Sequence, residues 1–193
     1  MCGIYGTLGS AVPTLPPLAA LMAHRGPDDR GTFVDEAHGL ALGQNRLSII
    51  DLSSAGHQPM ANEDQSVVVT FNGEIYNFQA LRAELEGAGH RFHSRTDTEV
   101  LVHGYEQWGQ NLVDKLCGMF AFAIWDANKK TLFLARDPMG IKPLYYWIDP
   151  QRGFWFASEI KAFLAVPGFR PRLDHQAISQ YLEFNFIYDN ERC

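Results

Sequence analysis

The chain has 193 residues, 46% apolar, 12% aromatic and 20% charged, which is enough to bury a core and excludes a disordered chain. Sixteen Lys and Arg against 22 Asp and Glu leave a formal charge of −6 with no basic run, so no nucleic-acid partner is expected. The longest apolar run, Met119 to Trp125, is far short of the ~20 residues of a spanning helix, so no membrane partner is expected either.

The opening 23 residues carry no charge but lack a basic n-region and are broken by Gly3, Gly6, Gly9, Pro13, Pro16 and Pro17, unlike a leader. A first strand is predicted over Cys2 to Leu8, followed by strands over Leu40 to Ile50 and Ser66 to Phe71, all rich in β-formers and bounded by turn residues. Asn77 is placed to cap a helix with Phe78, Leu81 and Leu85 on one face, which the Gly87–Gly89 region ends. Thr96 and Glu99 have capping-box spacing ahead of Leu101, Tyr105 and Trp108. Further strands are predicted over Gly118 to Asp126, Thr131 to Arg136, Leu144 to Ile148 and Phe154 to Ala157, and a third helix over Asp174 to Phe184. Asp137 to Gly140 has turn chemistry, with Pro second and Gly fourth.

Met119 to Trp125 leaves no polar face, as expected of a strand covered on both sides, so the fold class is α+β with sheets and helices in layers. No repeat or linker interrupts residues 2–165, which form one domain, with 166–193 a helical extension. The segment Asn185–Cys193 shows no closing cap or strand, which predicts that the natural protein continues. Cys2, Cys117 and Cys193 are an odd set without metal-type spacing, which predicts a reducing, cytoplasmic setting. His24, His57 and Cys117 lack ligand spacing, so no metal is expected and these residues are taken as structural, His57 helping to order a loop.

Four positions carry possible chemistry, each with two readings. Cys2 is either a small residue opening a strand or, once Met1 is removed, a thiol beside its own α-amine, whose pKa of roughly 7.7–8.0 suits it as a base. Retained Met1 would convert that amine to an amide and leave the chain inactive. Asn72-Gly73 is either a hairpin turn or a pair of donors for a developing oxyanion, the side-chain amide and an unobstructed glycine N–H. Only Glu74, Ile75 and Tyr76 separate it from Asn77, too few for a well-paired return strand. Arg46 either pairs with Asp51 or clamps a carboxylate through two parallel hydrogen bonds. Asp97 either complements a helix dipole or holds an ammonium. Together, a thiol, an oxyanion hole, Arg46 and the acids Glu74 and Asp97 match the side-chain amide, α-carboxylate and α-ammonium of L-glutamine.

In order along the chain stand Cys2-Gly3-Ile4, His24-Arg25-Gly26-Pro27-Asp28, Arg46-Leu47-Ser48-Ile49-Ile50-Asp51, Gly56-His57-Gln58-Pro59, Phe71-Asn72-Gly73-Glu74-Ile75-Tyr76-Asn77 and Arg95-Thr96-Asp97-Thr98-Glu99. Gly118 to Asp126, Arg136-Asp137 with Gly140, and Ser158-Glu159 continue the series. This set resembles the N-terminal glutaminase domain of glutamine-hydrolysing asparagine synthetases, class II amidotransferases of the N-terminal-nucleophile type.

The resemblance implies a four-layer αββα sandwich of two antiparallel sheets between helices. It implies Cys2 as nucleophile and Asn72 with Gly73 as oxyanion hole. It implies glutamine binding by Arg46, Leu47, Ser48, Ile49, Ile50, Asn72, Gly73, Glu74 and Asp97. It further implies ammonia supply to a synthetase domain, in the same chain or a partner, that makes asparagine from aspartate. ATP and Mg belong to that domain, and the glutaminase domain uses no cofactor. The Ser-Gly-Gly-x-Asp pyrophosphate loop does not occur in these residues, so this chain alone is not expected to make asparagine. The alternatives are a peptide or sugar acceptor, a stand-alone hydrolase of another amide, and a non-catalytic glutamine-binding module.

Overall fold

A computed structural model describes residues 1–9 and 15–188, so Cys193 and residues 189–192 of the closing segment lie outside it. β1 (Gly3–Leu8), β2 (Asp29–Asp35), β3 (Leu40–Arg46), β8 (Tyr145–Asp149) and β9 (Gly153–Ala157) form an antiparallel sheet in the order β2-β3-β1-β9-β8. β4 (Met60–Ala61), β5 (Val67–Ile75), β6 (Gly118–Asp126) and β7 (Thr131–Arg136) form a second in the order β4-β5-β6-β7. The helices are α1 (Pro16–Leu21), α2 (Phe78–Gly87), α3 (Glu99–Trp108) and α4 (His175–Phe184). None among the described residues is long and apolar enough to cross a membrane.

Three apolar clusters define the layers. Leu81 and Leu85 of α2 and Leu101 and Tyr105 of α3 pack on Val69, Phe71, Phe120, Phe122 and Ile124 of the second sheet. Ile4, Leu40 and Leu42 of the first sheet meet Val68, Ala121, Ala123 and Trp125 between the sheets. Leu18 and Ala19 of α1, with Met22 and Phe163, cover Tyr5, Ala41 and Trp155 on the outer face of the first. Successive residues of β6 therefore enter two different apolar interfaces, which is why the strand carries no polar face. Burying side chains as large as Phe122 and Trp125 stabilises the fold by roughly 2–3 kcal/mol each. The four-layer sandwich expected from the sequence is the observed architecture.

Several local expectations are corrected. The strand predicted to Ile50 stops at Arg46, and the one predicted to stop at Phe71 runs on to Ile75. Asn72-Gly73 is thus mid-strand, paired with Ala121 and Phe120, and is no hairpin turn. Gly73 is glycine because a Cβ there would stand 2.3 Å from Met119 O. β2, β4 and α1 were not expected; β2 is mostly half-exposed, which dilutes its apolar pattern.

Thr96 does not cap α3, which begins at Glu99 after Thr98, and the Glu99 carboxylate turns back to His93 and Ser94 instead. Asn77 occupies the N-cap position of α2 as expected, its C=O accepting from Leu81 N–H at 3.1 Å, but its side chain makes no capping bond: its amide donates to Lys115 O at 2.8 Å and accepts from Cys117 N–H at 3.0 Å. Asp174 does cap α4, accepting from Gln176 and Ala177 N–H. The Asp137 to Gly140 turn closes through Gly140 N–H to Asp137 O at 2.9 Å.

Polar side chains buried between layers fix how the sheets sit. Gln44 donates to Phe71 O at 2.7 Å and Thr70 to Gly43 O at 3.2 Å, which ties β3 to β5. Asn45 donates to Ala19 O at 2.8 Å on the other side. These bonds hold α1, the end of β3 and the middle of β5 together.

Candidate active site

β1 pairs with β3 so that Gly3 faces Asn45, which sets Cys2 beside the chain leaving Arg46. Leu47 N–H donates to the Cys2 sulfur at 3.4 Å, and the thiol faces Leu47 O at 3.6 Å. Arg25 Nε donates to Cys2 O at 2.9 Å while its Nη1 reaches Glu159 at 2.9 Å, so an ion pair holds the backbone of the candidate nucleophile. Burial pushes the Cys2 thiol above its ordinary pKa, and Asp97 adds to this, against the Leu47 hydrogen bond, the chain's terminal amine and Arg46. A thiol kept neutral in this way needs a base at hand to become a nucleophile.

The oxyanion candidates stand on the edge of β5 that faces away from β6. Phe120 spends its N–H and C=O on Asp137, at 3.2 and 2.8 Å, so the Gly73–Phe120 pair is a wide one and the Gly73 N–H points to that free edge. Its neighbours on the edge are both engaged: Phe71 N–H donates to Gln58 at 2.8 Å and Ile75 N–H to Asp97 at 2.9 Å. Asn72 is 1% exposed, and its side-chain nitrogen has no hydrogen-bond partner among the described residues. A buried amide donor left open is costly, by about 1–3 kcal/mol, unless a ligand oxygen completes it.

A cavity of about 120 Å³ brings these groups together, lined by Cys2, Arg46, Leu47, Ile49, Ile50, Asn72, Gly73, Glu74 and Asp97 among others. Ser48 does not line it; its N–H bonds Asp28 and it faces a neighbouring depression with Asp29, Ser53 and His57. Arg46 is buried and donates to Ser53 O at 3.2 Å and to Asp51 O, so it holds the 51–53 loop through main-chain carbonyls rather than pairing with the Asp51 carboxylate. Burial raises Asp97 to about 6, despite the bond from Ile75, and the nearby Glu74 adds to the rise.

His24 bonds Glu159 at 2.9 Å and His57 bonds Asp29 at 2.7 Å, while Cys117 is exposed. Gln58, Thr96, Thr98, Met119 and Lys142 also line the cavity and were not singled out as site residues. Lys142 is 6% exposed with its ammonium against Met1 Sδ at 3.7 Å, and no sequence signal marks a lysine for such burial. One cluster away from the cavity, His90, His103 and Glu106, brings three ligand-type atoms within 4.8 Å of one another.

The sequence matches the model of the glutamine amidotransferase domain over residues 1–193. It is 46% identical to asparagine synthetase [glutamine-hydrolyzing] 1 of Bacillus subtilis (strain 168), over 97% of this chain and 30% of the relative. It is 45% identical to asparagine synthetase [glutamine-hydrolyzing] 2 of Oryza sativa subsp. japonica, over 84% of this chain and 28% of the relative. The chain therefore spans about 30% of the length of the curated relatives it matches. Among solved structures, glutamine phosphoribosylpyrophosphate amidotransferase from B. subtilis superposes with a TM-score of 0.70 at 25% identity, over 86% of this chain and 43% of that one. The layered antiparallel sheets and the match along the whole chain make this protein a member of the glutamine amidotransferase domain family, homologous to part of the glutamine-hydrolysing asparagine synthetases.

Proposed function

We propose that this domain hydrolyses L-glutamine to glutamate and ammonia, with Cys2 as nucleophile. The observation that carries the reading is the buried, unpartnered amide nitrogen of Asn72 lining one cavity with the Cys2 thiol. The Cys2 sulfur attacks the side-chain amide carbon of glutamine, its proton passing to the α-amine that removal of Met1 exposes. The negative charge moves to the former carbonyl oxygen, where Asn72 Nδ2 and Gly73 N–H receive it. Collapse breaks the C–N bond, the α-amine returns the proton to the leaving nitrogen, and ammonia departs. Water then cleaves the thioester to glutamate and regenerates the thiol. No step requires a cofactor.

In the substrate, the α-ammonium pairs with Asp97, and Arg46 with the 47–50 segment receives the α-carboxylate. Ser48 does not line the cavity and its N–H is bound by Asp28, so its part is to hold the 47–50 segment in place rather than to touch glutamine. The similarity to asparagine synthetases supports ammonia transfer to a synthetase unit using ATP and Mg, in the same chain or a partner, with aspartate as acceptor. Residues 166–193 form the extension toward that unit. A cytoplasmic location fits the free thiols of Cys2 and Cys117.

The test is ammonia release by Cys2→Ala alongside thermal melting, with mass spectrometry to establish whether Met1 has been removed. Loss of at least about 10³-fold activity with an unchanged melt is the expected outcome. Activity within tenfold of the parent, or full activity in a chain that retains Met1, overturns the nucleophile and base assignments respectively.

A further inference from the structure

The residues from 93 to 98 form an irregular loop between α2 and α3 that presents Asp97 to the cavity. Its shape is set from outside the cavity by a carboxylate. Glu99 is 5% exposed and does not line the cavity, and as the first residue of α3 it spends both oxygens on the loop behind it. One oxygen accepts from His93 N–H at 2.7 Å; the other accepts from Ser94 N–H at 2.7 Å and Ser94 Oγ at 2.6 Å. Ser94 Oγ in turn meets Thr96 Oγ1 at 2.9 Å and accepts from Thr96 N–H at 3.2 Å. Further bonds tie the loop to its neighbours: Arg95 N–H donates to Asp51 at 3.0 Å, and Thr98 Oγ1 accepts from Gln58 at 3.0 Å.

A charged, many-centred acceptor holds backbone far more rigidly than a neutral one, because each N–H···O⁻ bond is short and about twice as strong. His103 stands one turn along α3, its Nε2 3.7 Å from Glu99 and its Nδ1 2.9 Å from Glu106; burial lowers its pKa, but the two carboxylates outweigh that and favour its protonated form. We propose that Glu99 is a positioning residue for glutamine recognition, folding the 93–98 loop so that Asp97 is held where the substrate ammonium docks. The inference rests on the reading of Asp97 as the ammonium partner. It makes Glu99 a determinant of substrate preference without any contact to substrate.

The experiment compares L-glutamine with 4-carbamoylbutanoate, which is glutamine without its α-amine, as substrates of the chain and of its Glu99→Gln and Ser94→Ala variants. Glu99→Gln keeps the size but replaces one acceptor oxygen by a donor that faces an N–H. The expected result is a fall of tenfold or more in the ratio of kcat/KM for glutamine over the analogue, carried by KM for glutamine. Ser94→Ala is expected to lower the same ratio about threefold, and carries the test if Glu99→Gln does not fold. A purely structural role would lower both substrates together, and that outcome, or an unchanged ratio in a folded variant, overturns the proposal. A parent chain that does not prefer glutamine overturns the Asp97 reading and the inference with it. A parent that does, beside variants that preserve the preference, overturns the inference alone.

Discussion

Asp97 and Glu99 are two residues apart and each 5% exposed, yet the carboxyl of one is raised to about 6 and that of the other lowered to about 2. Burial pushes both upward. For Glu99 the bonds from His103, Ser94 and His93 outweigh that push, whereas for Asp97 the bond from Ile75 does not, and Glu74 adds repulsion. The same contrast separates their surroundings, since the Glu99 network is saturated and the cavity holds the open donor of Asn72. Groups completed by the protein are scaffold, and groups left incomplete are where a ligand would finish the hydrogen bonding.

Substitutions on the two sides are expected to separate stability from activity. Asn72→Ala is expected to lower kcat by about 10²–10³-fold, the usual effect of one oxyanion donor. It is expected to leave the melting temperature unchanged or higher, since the deleted nitrogen has no partner to lose among the described residues. A destabilised variant with normal kcat per folded molecule would return Asn72 to a structural role.

Glu99→Ala is expected to add a large loss of stability to its loss of glutamine preference. Removing a buried carboxylate that satisfies three donors and faces His103 is expected to cost about 3–5 kcal/mol in urea unfolding. A loss below 1 kcal/mol would show that the network is not scaffold.

Asp97→Asn is expected to gain stability. The folded-state pKa is raised from 3.8 to about 6, so the folded protein binds more protons than the unfolded chain between these values, and stability falls as pH rises through that window. At neutral pH the ionised carboxylate costs about 2–3 kcal/mol, which the substitution removes; below about pH 4 the gain disappears. Glutamine affinity in the parent is expected to rise with pH through about 6, with uptake of glutamine releasing a proton, measurable by calorimetry in buffers of different ionisation enthalpy. Affinity independent of pH across that range would detach Asp97 from the ammonium. The smallest effect is expected for Asn77→Ala, about 1 kcal/mol with unchanged helix content, because its side chain bridges Lys115 and Cys117 rather than capping α2.

Much of the architecture was legible in residue pattern. Met119 to Trp125 has no polar side because β6 lies between two apolar interfaces, and that requirement is written into consecutive residues. Cys2 behind Met1 and Asn72 beside Gly73 are likewise local combinations whose chemistry is visible before any fold is known. The tertiary structure decided the rest, because it depends on partners distant in the chain. Phe120 and Ala121 make Asn72-Gly73 part of a strand, since Met119 O leaves no room for a Cβ at Gly73. Asp28 orients Ser48 away from the cavity, and Ile75 brings Asp97 to the edge of β5. The capping-box spacing of Thr96 and Glu99 was a correct signal of hydrogen bonding near a helix start, but a buried carboxylate serves whichever N–H groups the packing delivers. Here those belong to His93 and Ser94, and His103 stands one helical turn beyond Glu99 to hold it.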